Sequence, residues 1–244
     1  MKKGNQRIIF ALDVDSAAEA EELVLLLDQK VGMFKIGLEL FIDQGPSIVS
    51  RIRALSRAGI FLDLKLHDIS ATVRKAMASA VRTGADLVTV HASSSRKMLE
   101  MAVQGGMAKT RVLGVTLLTD NDASVVKACG FRDEFVDHTD RLVLQRAEFA
   151  HRAGCAGVVC SGQEAALVKR AFGGEFLAVT PGIRPAWSTV ENDDQERITT
   201  PAMAIGQGAD FIVVGRPIRT ASDPGAAADL IAEEIEEALV LRNI

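Results

Sequence analysis

The sequence predicts an α/β protein with a single (β/α)8 barrel, and three observations support this fold class. Short apolar runs recur eight times and are mostly continuous, as expected for parallel strands buried on both faces. Segments with helical periodicity separate these runs, which indicates repeated βαβ units. The length of 244 residues suits eight such units, so we expect one domain spanning residues 1–244.

The predicted elements alternate regularly along the chain. The predicted strands are 8–12, 34–38, 60–66, 87–91, 112–117, 157–160, 176–179 and 211–214. The clearest predicted helices are 17–27, 48–58, 71–83, 96–104, 136–152 and 164–171. Glycine follows several of these helices, at Gly59, Gly84, Gly154 and Gly208, where it can supply a left-handed cap before the next strand.

An open, doubly wound sheet is the alternative architecture. That fold usually carries a glycine-rich fingerprint after its first strand, where the chain approaches a bound dinucleotide. Here the first predicted strand is followed by Asp13-Val14-Asp15-Ser16. The barrel is therefore the preferred prediction.

Composition narrows the class of partner and the cellular location. The 28 basic and 32 acidic residues give a net charge of −4 and form no basic stripe, so nucleic acid is not expected as a partner. The three cysteines form no CxxC pair, and the four histidines have no metal-ligand spacing, which predicts neither structural disulfides nor a metal site. No apolar run reaches membrane-spanning length, so we expect a cytoplasmic protein.

The most informative motif is Asp63-Leu-Lys-Leu-His-Asp68, at the end of the third predicted strand. Side chains two apart on a strand point the same way, so Asp63 and Lys65 are predicted to share one face. A buried carboxylate and a buried ammonium stabilise each other, because a lone charge out of water costs several kcal/mol. A purely structural salt bridge is the alternative interpretation of these residues alone.

In a barrel, the catalytic groups lie at the carboxyl ends of the strands. Asp13, Lys35, His91, Thr116 and Thr119 occupy such positions in addition to the motif. Two lysines and three aspartates are thus predicted to converge on one mouth.

The loops after the seventh and eighth strands predict a phosphate site. They carry Arg184 and the Gly215-Arg216 pair, and this part of a barrel commonly binds phosphate through backbone N–H groups and arginine. The alternative to a phosphate site is that Arg184 and Arg216 are ordinary surface arginines. The long polar loop 182–195 is predicted to be a lid or a binding segment.

Six motifs of the chain resemble those of the orotidine 5′-phosphate decarboxylase family and occur in the same order. The resemblance extends from residue 8 to about residue 219. The motifs are LDV at 12–14, FKIG at 34–37, DLKLHDI at 63–69, VTLLT at 115–119, TPGIRP at 180–185 and VVGRPI at 213–218. The resemblance implies a cofactor-independent carboxy-lyase that converts orotidine 5′-phosphate to UMP and CO2, and it implies a homodimer as the working unit.

The resemblance also implies roles for individual residues. Lys65 resembles the proton donor to C6 of the pyrimidine and Asp63 the carboxylate set against the substrate carboxylate, while Lys35 and Asp13 resemble the residues that organise the charges and hold the ribose. Asp68 resembles the aspartate that enters the partner's site. The remaining substrate positions implied are Ile69 and Thr72 beside Asp68, Thr119 at the pyrimidine, and Pro181, Arg184, Gln195, Gly215 and Arg216 around the phosphate.

The chain departs from the family pattern at a few positions. Ser70 stands where proline is frequent, and Ser94 and Ser95 stand where a double glycine is frequent. The segment between Arg184 and Gln195 is slightly longer than in many relatives. Of the phosphate positions, this difference affects only the match of Gln195 to the family pattern.

Two other functions compete with this one. A sister decarboxylase or aldolase for keto-sugar phosphates shares the DxKxxD pattern and, as that resemblance implies, uses Mg²⁺. A non-catalytic barrel that binds a phosphorylated ligand would need no lysines and aspartates directed at the mouth.

Overall fold

The computed structural model of the chain describes residues 2–188 and 199–242. Gln195, and with it half of the predicted loop 182–195, lies outside these ranges. Eight parallel strands close into a barrel in chain order, which confirms the predicted fold class. The strands are β1 (Ile8–Ala11), β2 (Met33–Ile36), β3 (Gly59–Leu66), β4 (Leu87–His91), β5 (Arg111–Val115), β6 (Gly157–Val159), β7 (Leu177–Thr180) and β8 (Phe211–Val214).

Helices follow the strands and cover the outside of the barrel. They are α1 (Lys3–Gln6), α2 (Ala17–Leu27), α3 (Leu38–Gln44), α4 (Ser47–Leu55), α5 (Ser70–Thr83), α6 (Arg96–Gly106), α7 (Ala123–Ala128), α8 (Asp133–Val136), α9 (Thr139–Arg152), α10 (Ala165–Phe172), α11 (Pro201–Gly206), α12 (Arg216–Arg219) and α13 (Pro224–Arg242). No helix in the described ranges is both long and apolar enough to cross a membrane.

The strands are apolar on both faces because each face is buried in a different layer. Ile9, Phe61 and Leu113 belong to a cluster that fills the barrel interior. Phe10 and Phe34, on the opposite strand faces, belong to the larger cluster between the barrel and the helices. This two-sided burial explains the continuous apolar runs of the sequence.

Most predicted glycine caps are present, and one prediction was wrong. Gly84, Gly154 and Gly208 have φ values of 84°, 82° and 100°, the left-handed conformation that ends a helix. Gly59 does not cap a helix, because α4 already ends at Leu55 and Gly59 begins β3. A Cβ at Gly59 would lie 2.7 Å from the Met33 side chain, so close packing of β3 on β2 requires glycine there.

The predicted helix 136–152 is interrupted in the structure. α8 ends at Val136, and α9 begins only at Thr139. His138 separates them with a φ of −137° and a ψ of 75°, which lies outside the helical region. Residues 137–141 are all polar, but Val136 and Val143 are seven residues apart, about two helical turns, so the sequence pattern also fits one helix.

Candidate active site

The carboxyl ends of the strands surround a cavity of about 530 Å³ at the mouth of the barrel. Its walls include most of the residues predicted for the site, drawn from six of the eight strands and the loops that follow them. Those residues are Asp13, Lys35, Asp63, Lys65, Thr119, Pro181, Arg184, Gly215 and Arg216. The structure thus brings together residues that are up to about two hundred positions apart in the sequence.

Four charged side chains form an alternating row along this cavity. Lys35 Nζ donates to Asp13 Oδ1 at 2.8 Å and lies 3.8 Å from Asp63 Oδ2. Lys65 Nζ donates to the same Asp63 Oδ2 at 2.8 Å. The side-chain exposure is 10% for Lys35, 15% for Asp63, 30% for Lys65 and 55% for Asp13, so the inner pair of charges lies out of water and the outer residues face the cavity.

Asp63 is held as a carboxylate. Burial acts to raise its pKa, but the charges of Lys35 and Lys65 and the hydrogen bonds from Lys65 and Thr89 outweigh that effect, and the pKa is lowered. A negative charge is therefore fixed between the two lysines.

Lys65 has an unusual backbone conformation. Its φ is 48°, and the pairing of β3 with β4 shifts register between Leu62 and Leu66. The predicted approach of Lys65 to Asp63 is present, but it depends on this bulge and not on simple strand alternation. Such strain is common where a functional side chain must be aimed.

Gly37 allows Lys35 and Asp13 to meet. A Cβ at this position would lie 3.1 Å from Asp13 Oδ1 and 3.2 Å from Lys35 Nζ. Any larger residue would crowd both partners of the hydrogen bond. The glycine of the FKIG motif is thus explained by close approach.

Asp68, Ile69 and Thr72 lie apart from this cavity. All three are exposed, Ile69 to 73%, and none of them lines the mouth. Asp68 and Ile69 instead line a surface cavity of about 420 Å³ next to the first turn of α5. Among the ion pairs of the described chain, none joins Asp68 to Lys65.

The predicted phosphate positions in the described chain also line the main cavity. Arg216 begins the short helix α12, directly after Gly215. The backbone N–H of Arg184 donates to the carbonyl of Thr199 at 2.9 Å, which fixes the start of the loop after β7. Arg184, Gly215 and Arg216 line the same cavity as the charged row, whereas Gln195 is outside the described residues.

Sequence reasoning missed three polar residues of the site. Thr89, on β4, is fully buried and hydrogen-bonded to Asp63. Arg219 lines the cavity, and its Nη1 donates to the carbonyl of Asp13 at 2.8 Å. Glu39 also lines it. Arg219 could have been noticed as a second arginine one turn after Arg216, but nothing local marks Thr89.

His91 and Thr116 lie beside the main cavity instead of lining it. Both line a neighbouring cavity of about 160 Å³ together with Arg146, whose guanidinium donates to the Thr116 carbonyl. Burial, followed by the nearby charges of His67, Lys65 and Arg146, lowers the pKa of His91. His91 is therefore a neutral imidazole at neutral pH.

Within residues 2–188 and 199–242, no group of three or more His, Cys, Asp or Glu side chains is placed to hold a metal ion. The charged row pairs each of its carboxylates with a lysine, which leaves an arrangement suited to electrostatic and proton-transfer chemistry.

A closed barrel with this charged row and with arginines at its mouth is typical of an enzyme of the (β/α)8 class. Comparison with known proteins narrows this class of enzyme to one family. The chain belongs to the orotidine 5′-phosphate decarboxylase / HUMPS family, whose model matches residues 6–231.

Similar proteins cover nearly the whole chain. An orotidine 5′-phosphate decarboxylase from Desulfosudis oleivorans is 50% identical over 95% of this chain and 94% of its own length. Another, from Anaeromyxobacter sp., is 46% identical over 94% of this chain and 98% of its own. The crystal structure of orotidine 5′-phosphate decarboxylase from Lactobacillus acidophilus matches with a TM-score of 0.80 and 34% identity, over 93% and 98% of the two chains. The resemblance drawn from the motifs is confirmed, and so is the prediction of a carboxy-lyase.

Proposed function

We propose that this chain converts orotidine 5′-phosphate to UMP and CO2 in de novo pyrimidine biosynthesis. The relatives from Desulfosudis oleivorans and Anaeromyxobacter sp. are named for this activity, and each matches nearly the full length of the chain. The observation that carries the proposal is the alternating row from Asp13 to Lys65 at the cavity, with Lys65 Nζ 2.8 Å from Asp63 Oδ2. The charge pattern fits a reaction in which negative charge develops on carbon.

In this mechanism, the bond between C6 and the substrate carboxylate breaks and its electron pair stays on C6. The pair occupies an sp2 orbital that the pyrimidine ring delocalises poorly, so stabilisation must come from fixed charge. The ammonium of Lys65 supplies that charge and then transfers a proton to C6. The neutral amine of Lys65 regains its proton from solvent after product release.

Asp63 and Lys35 support this step. Asp63 is placed against the substrate carboxylate in the proposal, and its lowered pKa keeps it ionised beside Lys65. Lys35 is almost completely buried and lies between Asp13 and Asp63, which suits a residue that fixes the spacing of the charges. Asp13, the most exposed member of the row, is available to the ribose hydroxyls.

The phosphate would bind at the arginines that line the mouth. Arg184 and Arg216 line the same cavity as the charged row, and Gly215 and Pro181 lie beside them. Binding energy from this remote group can hold the reacting end in place, so that interactions with C6 are expressed in the transition state. Thr119 would contact the pyrimidine from the loop after β5.

The site would be completed by a second copy of the chain. Asp68, Ile69 and Thr72 are exposed and lie outside their own cavity, and Asp68 has no ion pair with Lys65 in the described chain. We propose that in a homodimer these residues reach the partner's cavity. Asp68 would there add a second carboxylate beside Lys65.

One assay tests the reaction. The purified protein, treated with excess chelator, is mixed with orotidine 5′-phosphate, and the loss of orotate absorbance is followed together with UMP formation. Full turnover without added metal is expected. An enzyme that is inactive on this substrate, but active on a keto-sugar phosphate with Mg²⁺, would support the sister activity instead. Binding without turnover of either compound would favour a non-catalytic barrel.

A further inference from the structure

Thr89 links the two residues on which the proposed chemistry depends. Its hydroxyl donates to Asp63 Oδ1 at 2.9 Å and accepts the backbone N–H of Lys65 at 2.9 Å. The residue itself is fully buried on β4. We propose that Thr89 is a positioning residue that sets the geometry of Asp63 and Lys65, an inference that rests on the proposed function.

The contacts close a ring of hydrogen bonds. Lys65 is bound at both ends, through its N–H to the Thr89 hydroxyl and through its Nζ to Asp63 Oδ2. Asp63 is likewise bound at both oxygens, with Oδ1 taken by Thr89 and Oδ2 by Lys65. Rotation of either side chain would break the hydrogen bond between Lys65 Nζ and Asp63 Oδ2. The ring therefore fixes the ammonium relative to the carboxylate.

The bulge in β3 explains why a hydroxyl is needed there. β3 and β4 are in register at Leu62 and Val88 and again at Leu66 and Val90, and the residues between have lost regular pairing. A buried N–H without an acceptor is costly, and the Thr89 hydroxyl takes the place of the missing strand carbonyl. It also stabilises Lys65 in a left-handed conformation that lysine rarely adopts.

Threonine suits this position because its hydroxyl donates and accepts at once. Serine would keep both contacts and lose only a methyl group. Valine has nearly the same shape and can make neither contact. The two variants therefore separate the hydrogen bonds from the packing.

The test compares Thr89→Val and Thr89→Ser with a matched control, Thr110→Val. Thr110 is also buried, and its hydroxyl donates to a backbone carbonyl, that of Ala85, away from the cavity. For each folded variant, kcat and KM on orotidine 5′-phosphate and the dissociation constant of UMP are measured. The ionisation of Asp63 is followed by ¹³C NMR of its carboxyl carbon in the ligand-free protein.

We expect Thr89→Val to lower kcat by about 10- to 100-fold, because a misplaced reactive group costs factors of this size. The dissociation constant of UMP should change by less than about threefold, since the arginine side of the cavity is untouched. The pKa of Asp63 should rise, because one hydrogen bond to its charged form is lost. Thr89→Ser should rescue both kcat and the titration, and Thr110→Val should leave both as in the parent protein.

Several results would overturn the inference. These are an unchanged kcat and Asp63 titration in Thr89→Val, an equal loss of kcat in Thr110→Val, or a folded Thr89→Ser that is as impaired as Thr89→Val. Should Thr89→Val not fold, Thr89→Ala also lacks the hydroxyl and carries the same test. A parent protein that does not turn over orotidine 5′-phosphate would refute the proposed function alone, because the NMR titration needs no substrate.

Discussion

Lys65 Nζ lies 2.8 Å from Asp63 Oδ2, and the chain bends into a left-handed conformation at Lys65 to bring the two groups together. The Lys65 side chain is 30% exposed and lines the cavity, while the side chain of Asp63 is only 15% exposed. Water screens the charge of a cation held in this way only weakly, and the cation needs no rearrangement during a reaction.

Replacement of Lys65 by alanine should nearly abolish turnover. The change removes both the proton donor and the cation beside C6, so we expect kcat to fall by roughly 10⁴-fold or more. UMP binding should weaken by less than about tenfold, because the product no longer carries the reacting carboxylate. Steady-state kinetics and calorimetric titration with UMP measure the two effects, with Lys109→Ala, an exposed lysine, as the control. Near-normal turnover in Lys65→Ala would remove this residue from the mechanism.

Replacement of Arg216 by alanine should act on phosphate recognition. Loss of a charged hydrogen bond, about 1.5–3 kcal/mol, should raise the KM for orotidine 5′-phosphate by roughly 10- to 100-fold. Turnover of the phosphate-free nucleoside orotidine should change by less than about twofold, because it lacks the group that Arg216 would bind. Arg141→Ala on α9, an exposed arginine outside the cavity, is the matched control. An equal loss on the nucleoside would contradict the phosphate assignment.

A mixture of two inactive variants should recover activity if the sites are shared between subunits. Lys65→Ala damages the site of its own chain, whereas Asp68→Ala is expected to damage the site of the partner. A heterodimer of the two then has one intact site, and random exchange should restore about one quarter of the parent activity. Activity is measured after the variants are mixed, unfolded and refolded together, and the heterodimer is counted by native mass spectrometry. Heterodimers without activity would mean that Asp68 does not serve the neighbouring site.

The stability of the fold should decrease in mild acid, in part because of His91. Its folded pKa is lowered, first by burial and then by the charges of His67, Lys65 and Arg146, so the unfolded chain binds the proton more readily. This contribution to the free energy of unfolding is fully present above about pH 6.5 and decreases as the pH falls below that value toward the lowered folded pKa. Thermal unfolding at pH 8 and pH 5.5 should therefore show a smaller drop in Tm for His91→Gln than for the parent. His138→Gln, at an exposed histidine, should behave as the parent does; a parent-like drop in His91→Gln would contradict the assignment.

The architecture could be predicted from the sequence because it depends on local patterns. The runs at 87–91 and 211–214 coincide with β4 and β8, since a strand buried on both faces must be apolar throughout. The break between Val136 and Thr139 was missed although residues 137–141 are all polar, because Val136 and Val143 are about two helical turns apart and fit one helix. Gly59 looked like a helix cap, but its presence is explained by contact with Met33 on the neighbouring strand.

The sequence alone determined the barrel, most of the charged residues that line its mouth and the family to which the chain belongs, because each depends on residue type and order. Only the tertiary structure revealed the bulge that aims Lys65 and the hydroxyl of Thr89 that ties it to Asp63. Thr89 stands 24 and 26 residues from its two partners, and the register between β3 and β4 alone brings them into contact. Hydrogen-bond geometry across strands depends on register and on local departures from it, and neither is written in the spacing of a motif.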